Sequence, residues 1–129
     1  MRGRRTSNPT GAELRILRVL WNRGRATVRE VAADLNADEP TGYTTALKFL
    51  QIMTAKGLVR REAAGRAHVY EAARSREETQ GQLVRHLLDR AFDGSASTLV
   101  LRALSEARTD PGELTRIRAM LRQVTRRKP

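Results

Sequence analysis

Apolar residues recur every three or four positions along most of this chain, which is the period of helices that bury one face. Two such segments run from Thr10 to Gly24 and from Thr27 to about Asn36, and a third runs from Thr41 to about Lys56. Three more lie between residues 75 and 125. We therefore predict a mainly helical protein. The apolar stripe of the third segment consists of Ala46, Phe49, Leu50 and Met53.

Helix starts are marked by Ser, Thr or Asp followed three positions later by Glu, the capping-box pattern in which each side chain satisfies a free backbone N–H group. The pattern occurs at Thr10/Glu13, Thr27/Glu30, Ser75/Glu78 and Asp110/Glu113. We expect Thr41 to cap the third helix, and Gly24 and Gly57 to end the first and third helices.

The period changes to two after Gly57, which predicts short β-strands over residues 58–62 and 67–71. Between them, residues 63–66 contain Gly65 and predict a hairpin turn. Three short helices followed by a small β-hairpin form the layout of a winged helix-turn-helix. In that fold the third helix can enter the DNA major groove while the hairpin reaches the backbone or the minor groove.

The third predicted helix carries the candidate base-reading residues. If its apolar stripe faces the core, the opposite face presents Thr44, Thr45, Leu47, Lys48 and Gln51. Hydroxyl, amide and ammonium groups can bond to base edges, and Leu47 can contact a thymine methyl group. We predict that Tyr43, Thr44, Thr45 and Lys48 contact DNA. An ordinary solvated helix face is the alternative.

Arginines on or beside the hairpin are candidate phosphate or minor-groove contacts. We predict DNA-binding roles for Arg60 and for Arg66, which follows Gly65 at the turn, and Lys56 is a further candidate phosphate contact. Arg61 lies on the same hairpin. Alternatively, these cations only keep a short edge hairpin soluble.

The three C-terminal helices predict a dimerisation region, since they would bury little surface alone. Leu114, Ile117, Leu121 and Val124 form a narrow seam suited to a second copy, which would place two recognition helices on a palindromic site. The alternative is that these helices only cap the core of one monomer. The predicted dimer residues are Leu87, Leu88, Phe92, Leu99, Val100, Leu104, Leu114, Ile117 and Leu121. The predicted organisation is a flexible basic arm (1–8), a winged-helix domain (9–73), a helical dimerisation domain (74–125) and a basic tail (126–129).

The charge balance strengthens the nucleic-acid interpretation. The 129 residues include 25 Lys and Arg against 14 Asp and Glu, for a net charge of +11, and only three of the basic residues are lysines. Such an excess of positive charge indicates a polyanionic partner such as nucleic acid. The codon bias of a GC-rich genome would also raise the number of arginines. An alternative function is non-specific binding of RNA or nucleoid DNA by an arginine-rich protein. A third possibility is a module that binds another protein through its C-terminal helices.

Other classes of function find no support in the sequence. There is no cysteine and no long apolar run, so we expect a cytoplasmic protein without thiolate chemistry or membrane insertion. His68 and His86 lack metal-ligand spacing, and Asp38/Glu39 and Glu77/Glu78 suit a turn and a helix start. We predict no catalytic residue, metal or cofactor.

The motifs, taken in order, resemble the penicillinase repressors of the BlaI/MecI type. The resemblance spans about residues 9–124 and rests on short stretches, which are residues 9–13, 19–21, 43–47, 56–59, 65–66 with 69–70, and 92–95 with 99–100. It implies a homodimeric winged-helix repressor that binds palindromic operators and controls β-lactam-resistance or related cell-envelope stress genes and its own operon. It also implies a membrane metalloprotease sensor in the same pathway. By position, Thr44, Thr45 and Lys48 fall on the operator-reading helix, and Gly65 and Arg66 fall on the wing.

Two departures from the family pattern bear on regulation. The family's proteolytic Asn-Phe bond follows a Leu-Val-Leu stretch, whereas here residues 99–101 are followed by Arg102 and Ala103. Inactivation by cleavage at that bond is therefore not implied. Copper-responsive relatives carry a C-terminal cysteine cluster, and the lack of cysteine excludes thiolate copper sensing.

Overall fold

The structure, a computed structural model, describes residues 8–127, with the side chain of residue 127 left out. The predicted basic arm lies outside these residues except for Asn8, and so do the last two residues of the predicted tail. The helices are α1 (Gly11–Arg23), α2 (Val28–Leu35), α3 (Tyr43–Lys56), α4 (Arg76–Arg90), α5 (Ala96–Glu106) and α6 (Pro111–Arg127). The strands are β1 (Ala26–Thr27), β2 (Val59–Ala64) and β3 (Ala67–Ala72). The fold is therefore mainly helical with a small sheet, as predicted.

Reciprocal capping bonds fix the starts of three helices where the sequence predicts them. Thr10 and Glu13 exchange bonds of 2.9 and 3.2 Å at α1, and the Thr27/Glu30 and Ser75/Glu78 pairs do the same at α2 and α4. At α6 the structure has one of the two capping-box bonds, in which the Asp110 carboxylate accepts from the Glu113 N–H at 2.7 Å.

The predicted Thr41 cap of α3 is wrong. The N-cap is Gly42, which has no side chain to bond to the helix. Thr41 instead stabilises the preceding loop, where its N–H donates to Asn36 Oδ1 at 2.5 Å and its hydroxyl donates to the Glu39 carbonyl at 3.1 Å. The helix still ends at Gly57, whose φ of 83° is left-handed and suits glycine.

The sheet is antiparallel and has three strands in the order β1-β3-β2, one more than predicted. Strand β1 has only two residues, Ala26 and Thr27, which pair with Tyr70 and Val69. In the hairpin, Ala64 pairs with Ala67, so the turn is only Gly65 and Arg66 rather than residues 63–66. Gly65 has a φ of 66°, the positive value that a type II′ turn requires at its first central residue.

One hydrophobic core joins α1, α2, α3 and the sheet. Each helix contributes fully buried side chains, and Tyr70 at 1% exposure closes the core from β3. Arg23 at the end of α1 donates to both carboxylate oxygens of Asp34 in α2, at 2.8 and 2.9 Å. These hydrogen bonds lower the pKa of Asp34 and raise that of Arg23. The largest fully buried side chains are Tyr70, Ile16, Leu17, Leu20, Leu50, Met53 and Val31.

The chain divides into two compact units, residues 1–84 and residues 85–129, with the division inside α4. In the second unit, no side chain of described residues 85–126 is buried. Exposed apolar side chains there include Leu101 at 56%, Met120 at 60% and Leu121 at 53%. Over the described part of the chain, no helix is both long and apolar enough to cross a membrane.

Candidate nucleic-acid interface

Helix α3 presents the predicted DNA-reading side chains on its exposed surface. Ala46, Leu50 and Met53 are fully buried and Phe49 packs against the core, which confirms the predicted stripe. The exposed residues on the other faces are Tyr43, Thr44, Thr45, Lys48, Gln51, Ile52 and Ala55. Leu47 is half-buried against the core rather than fully exposed.

The exposed polar side chains of α3 fall into three groups by the direction in which they lie. Thr44, Lys48 and Gln51 are four and three residues apart and share one outward face. Tyr43 lies one turn before Leu47 and is 52% exposed beside the hairpin. Thr45 borders a different cavity, on the side of α1. The predicted contacts are therefore accessible, but they do not all face the same way.

A cleft of about 270 Å³ separates α3 from the hairpin, and we call it the wing cleft. Tyr43 and Leu47 line its α3 side, Arg66 and His68 line its hairpin side, and Arg29 lines it from α2. Its two arginines make it a cationic groove next to the exposed face of α3. Such a groove suits a phosphate-bearing strand.

The basic side chains of the first unit differ in whether they have an acidic partner within the protein. Among residues 8–84, five cations are exposed and form no ion pair or hydrogen bond with another described residue, and these are Arg18, Arg29, Lys48, Arg61 and Arg66. Arg60 is paired, since it lies 3.2 Å from the carboxylate of Glu71 across the hairpin. Arg18 lies on α1, and the other four free cations lie on α2, α3 and the hairpin, where an external anion can neutralise them.

Lys56 also has an internal partner. Its Nζ donates to both carboxylate oxygens of Glu13, at 3.0 and 2.9 Å, and the Glu13 side chain is only 3% exposed. Burial raises the pKa of Glu13, but hydrogen bonds from Lys56 and Thr10 outweigh it, so the pKa lies below its ordinary value. Lys56 therefore ties the end of α3 to the start of α1, and the structure gives it a stabilising contact rather than a free charge.

Arg29 is the residue that the sequence reasoning missed. It is the second residue of α2, inside the Thr27/Glu30 capping box, and it lines the wing cleft. A cation in the first turn of a helix opposes the helix dipole, which favours anions there. This unfavourable placement is the sequence signal that could have indicated an external anionic partner.

The predicted dimer residues are all at least partly exposed in the second unit. Leu87 and Val100 are each 44% exposed and Leu121 is 53% exposed. The remaining six, which are Leu88, Phe92, Leu99, Leu104, Leu114 and Ile117, are half-buried. Their apolar surface is thus available to a partner.

His68 and His86 are exposed and belong to no metal cluster, since residues 8–127 contain no group of three or more His, Asp or Glu side chains able to hold a metal ion.

Three helices, a third strand and a two-residue wing beside a cationic cleft define a winged-helix protein of the DNA-binding regulator class. A family model for the penicillinase repressors matches residues 9–123, and the chain belongs to that family. The family and the fold are those of DNA-binding transcriptional repressors.

Two solved structures show the same fold. One is Bacillus licheniformis BlaI, in its monomeric form with the blaP half-operator, at 22% identity and a TM-score of 0.50, covering 57% of this chain and 90% of that one. The other is a MarR family transcriptional regulator from Silicibacter pomeroyi, at 18% identity and a TM-score of 0.51, covering 92% of this chain and 71% of that one. Among curated proteins, no sequence matches the chain.

Proposed function

We propose that this protein is a homodimeric repressor that binds a palindromic operator, with α3 in the major groove and the hairpin on the flanking backbone. Thr44, Thr45 and Lys48 read base edges, and Tyr43 contacts the backbone beside them. The observation that carries the proposal is the position of the wing cleft directly beside the exposed face of α3.

Four of the free cations, those on α2, α3 and the hairpin, supply the phosphate contacts. Arg66 at the wing turn and Arg29 on α2 both line the cleft, and Arg61 and Lys48 add positive charge on the hairpin and on α3. Each neutralised phosphate contributes about 0.9 to the slope of log affinity against log salt. A dimer that uses all four in each subunit should therefore show a slope of about −7. Arg60 and Lys56 contribute less, because each has an acidic partner.

The exposed apolar surface of α4, α5 and α6 supports the proposed dimer. A second copy would cover the half-buried and exposed leucines of this unit, and two-fold symmetry would then require an inverted repeat in the DNA.

The proposed targets are genes for β-lactam resistance or for a related cell-envelope stress response, together with the protein's own operon. Family membership supports this choice, and a membrane metalloprotease sensor encoded nearby would act in the same pathway. Since Arg102 and Ala103 stand where the family has its cleaved bond, release from DNA is proposed to need another signal or another cleavage site.

The binding proposal is tested by fluorescence anisotropy with duplexes from upstream of the protein's own operon, and by footprinting. Arg66→Ala should weaken binding to operator and random duplex alike and lower the salt slope by about one per subunit. Thr44→Ala should cost about 1–3 kcal/mol on the operator alone. Arg18→Ala removes an exposed arginine from α1, which does not line the wing cleft, and serves as the matched control. Equal affinity for operator and random duplex at physiological salt would establish the non-specific arginine-rich binder instead.

The dimer is tested by sedimentation equilibrium of the full chain. Leu121→Glu places a charge in the apolar seam and should shift the protein to monomers, while Gln123→Glu adds the same charge at a polar position of α6 and should leave the dimer intact. A wild-type monomer at micromolar concentration would contradict the proposal.

A further inference from the structure

One guanidinium nitrogen in α1 lacks a hydrogen-bond partner. Nη2 of Arg15 is buried and has no acceptor among residues 8–127. The neighbouring Nη1 lies 3.6 Å from a carboxylate oxygen of Glu39, whose side chain is 60% exposed. A buried N–H group without an acceptor costs about 1–3 kcal/mol. Such a group calls for an acceptor that the described residues do not supply, which is either a water molecule or a ligand.

Arg15 lines a cavity of about 260 Å³, which we call the Arg15 cavity. It lies between α1, the loop before α3, and α3 itself. Ile16, Leu35 and Phe49 give it apolar walls. Thr45 adds a hydroxyl that forms no hydrogen bond with another described residue. The cavity thus combines a cationic donor and a hydroxyl with an apolar wall.

We propose that the Arg15 cavity binds a small monocarboxylate with a short branched aliphatic body. The carboxylate accepts hydrogen bonds from the Arg15 guanidinium group, once Glu39 has turned away from it, and from the Thr45 hydroxyl. The aliphatic part packs against Ile16 and Phe49. The guanidinium group favours a carboxylate, because charge-assisted bonds are about twice as strong as neutral ones. The apolar walls disfavour a strongly hydrated dianion such as phosphate. Pockets for drug-sized ligands have about 300–1,000 Å³, so the ligand here must be small.

Glu39 opposes this ligand, which gives the proposal a distinctive consequence. Its carboxylate competes for the same guanidinium group and repels a second negative charge. Because the Glu39 side chain is mostly exposed, it can turn into solvent when a ligand enters. Replacing Glu39 by glutamine should therefore strengthen carboxylate binding.

The test is a titration of the full chain with sodium isovalerate, followed by two-dimensional amide NMR, with sodium chloride at matched ionic strength as the blank. We expect saturable shifts confined to the amides around Arg15, Thr45 and Phe49, with a dissociation constant in the millimolar range. Isovaleramide, which has the same shape without the charge, should bind at least about threefold more weakly.

Variants separate a built site from general salt effects. Arg15→Met should weaken isovalerate binding at least about tenfold, Arg15→Lys should fall between, and Glu39→Gln should strengthen binding several-fold. Arg18→Met removes an exposed arginine of the same helix and should change nothing. The spectra show in the same experiment that each variant is folded. Shifts that stay linear with concentration, equal binding of isovaleramide, or equal loss in Arg18→Met would overturn the site, leaving only a water molecule on Arg15.

The site has a regulatory consequence that rests on the proposed function. Thr45 belongs both to the Arg15 cavity and to the proposed base-contact set, so isovalerate should weaken operator binding several-fold in wild type and not in Arg15→Met. The NMR titration contains no DNA and is independent of this step. Saturable isovalerate binding without an effect on DNA affinity would overturn the coupling but not the site. If the wild type did not bind the operator even without isovalerate, the proposed function would be overturned.

Discussion

Replacing Lys56 by methionine should destabilise the winged unit, because it leaves the buried carboxylate of Glu13 without its counter-charge. Loss of one member of a buried ion pair costs about 3–5 kcal/mol. We expect a smaller loss, about 2–3 kcal/mol, for two reasons. The Lys56 side chain is 31% exposed, so water reaches the pair, and the Thr10 N–H still donates to Glu13 at 2.9 Å.

The loss should depend on pH in a defined direction. In the wild type the pKa of folded Glu13 is depressed, so its contribution to stability is present above the unfolded pKa and is lost as the pH falls through the folded pKa. Without Lys56 the folded pKa of Glu13 rises, because burial is then opposed only by the hydrogen bonds of Thr10, and protonation costs the variant less stability than it costs the wild type. The difference in unfolding free energy should be full at neutral pH and should shrink below about pH 5.

Urea unfolding followed by circular dichroism, at about pH 7 and about pH 4, measures both effects. Lys48→Met is the matched control, since Lys48 is an exposed lysine on the same helix with no described partner, and it should change stability by less than about 0.5 kcal/mol. In a Glu13→Gln background the effect of Lys56→Met should largely vanish. A loss that is independent of pH, or that persists undiminished in that background, would refute the reasoning. DNA affinity of folded Lys56→Met should stay within about twofold of wild type, because Nζ is engaged by Glu13.

Three further substitutions probe the fold. Gly65→Ala should cost about 1–2 kcal/mol in urea unfolding, since φ is 66° there, whereas Gly11→Ala at the start of α1 should be neutral or slightly stabilising. Ser75→Ala should cost about 1 kcal/mol by removing the α4 cap, measured by thermal unfolding; no change would mean that Glu78 alone suffices. Trp21→Phe should cost about 1 kcal/mol by circular dichroism, because the indole N–H donates to the Arg74 carbonyl at 3.0 Å.

Local interactions explain why the helices could be predicted. A capping box involves residues only three positions apart, and the period of apolar residues is a property of one helix. Both can therefore be recognised in the sequence. The Thr41 cap failed because its hydroxyl bonds to the Glu39 carbonyl two residues back, which draws it into the loop and leaves Gly42 at the helix start. A hydroxyl can take either role, and the sequence does not distinguish them.

Contacts distant in the sequence could not be predicted. The two residues of β1 carry no period, and they form a strand only because β3 offers them partners more than 40 positions away. The bond between Lys56 and Glu13 spans 43 positions. Likewise, the period of α3 showed that Thr45 is exposed but not that it borders a cavity with Arg15. These features arise from packing between elements, which a single sequence does not display.

Within one chain, no side chain of residues 85–126 is buried, and this affects how fast the protein is degraded in a cell. Helices without an interior of their own open readily and offer their backbone to degrading enzymes. In the proposed dimer a second copy would cover these helices, and unpaired molecules would be degraded faster than paired ones. The abundance of the protein would then depend on its own assembly, so that halving its synthesis would lower the surviving pool by more than half.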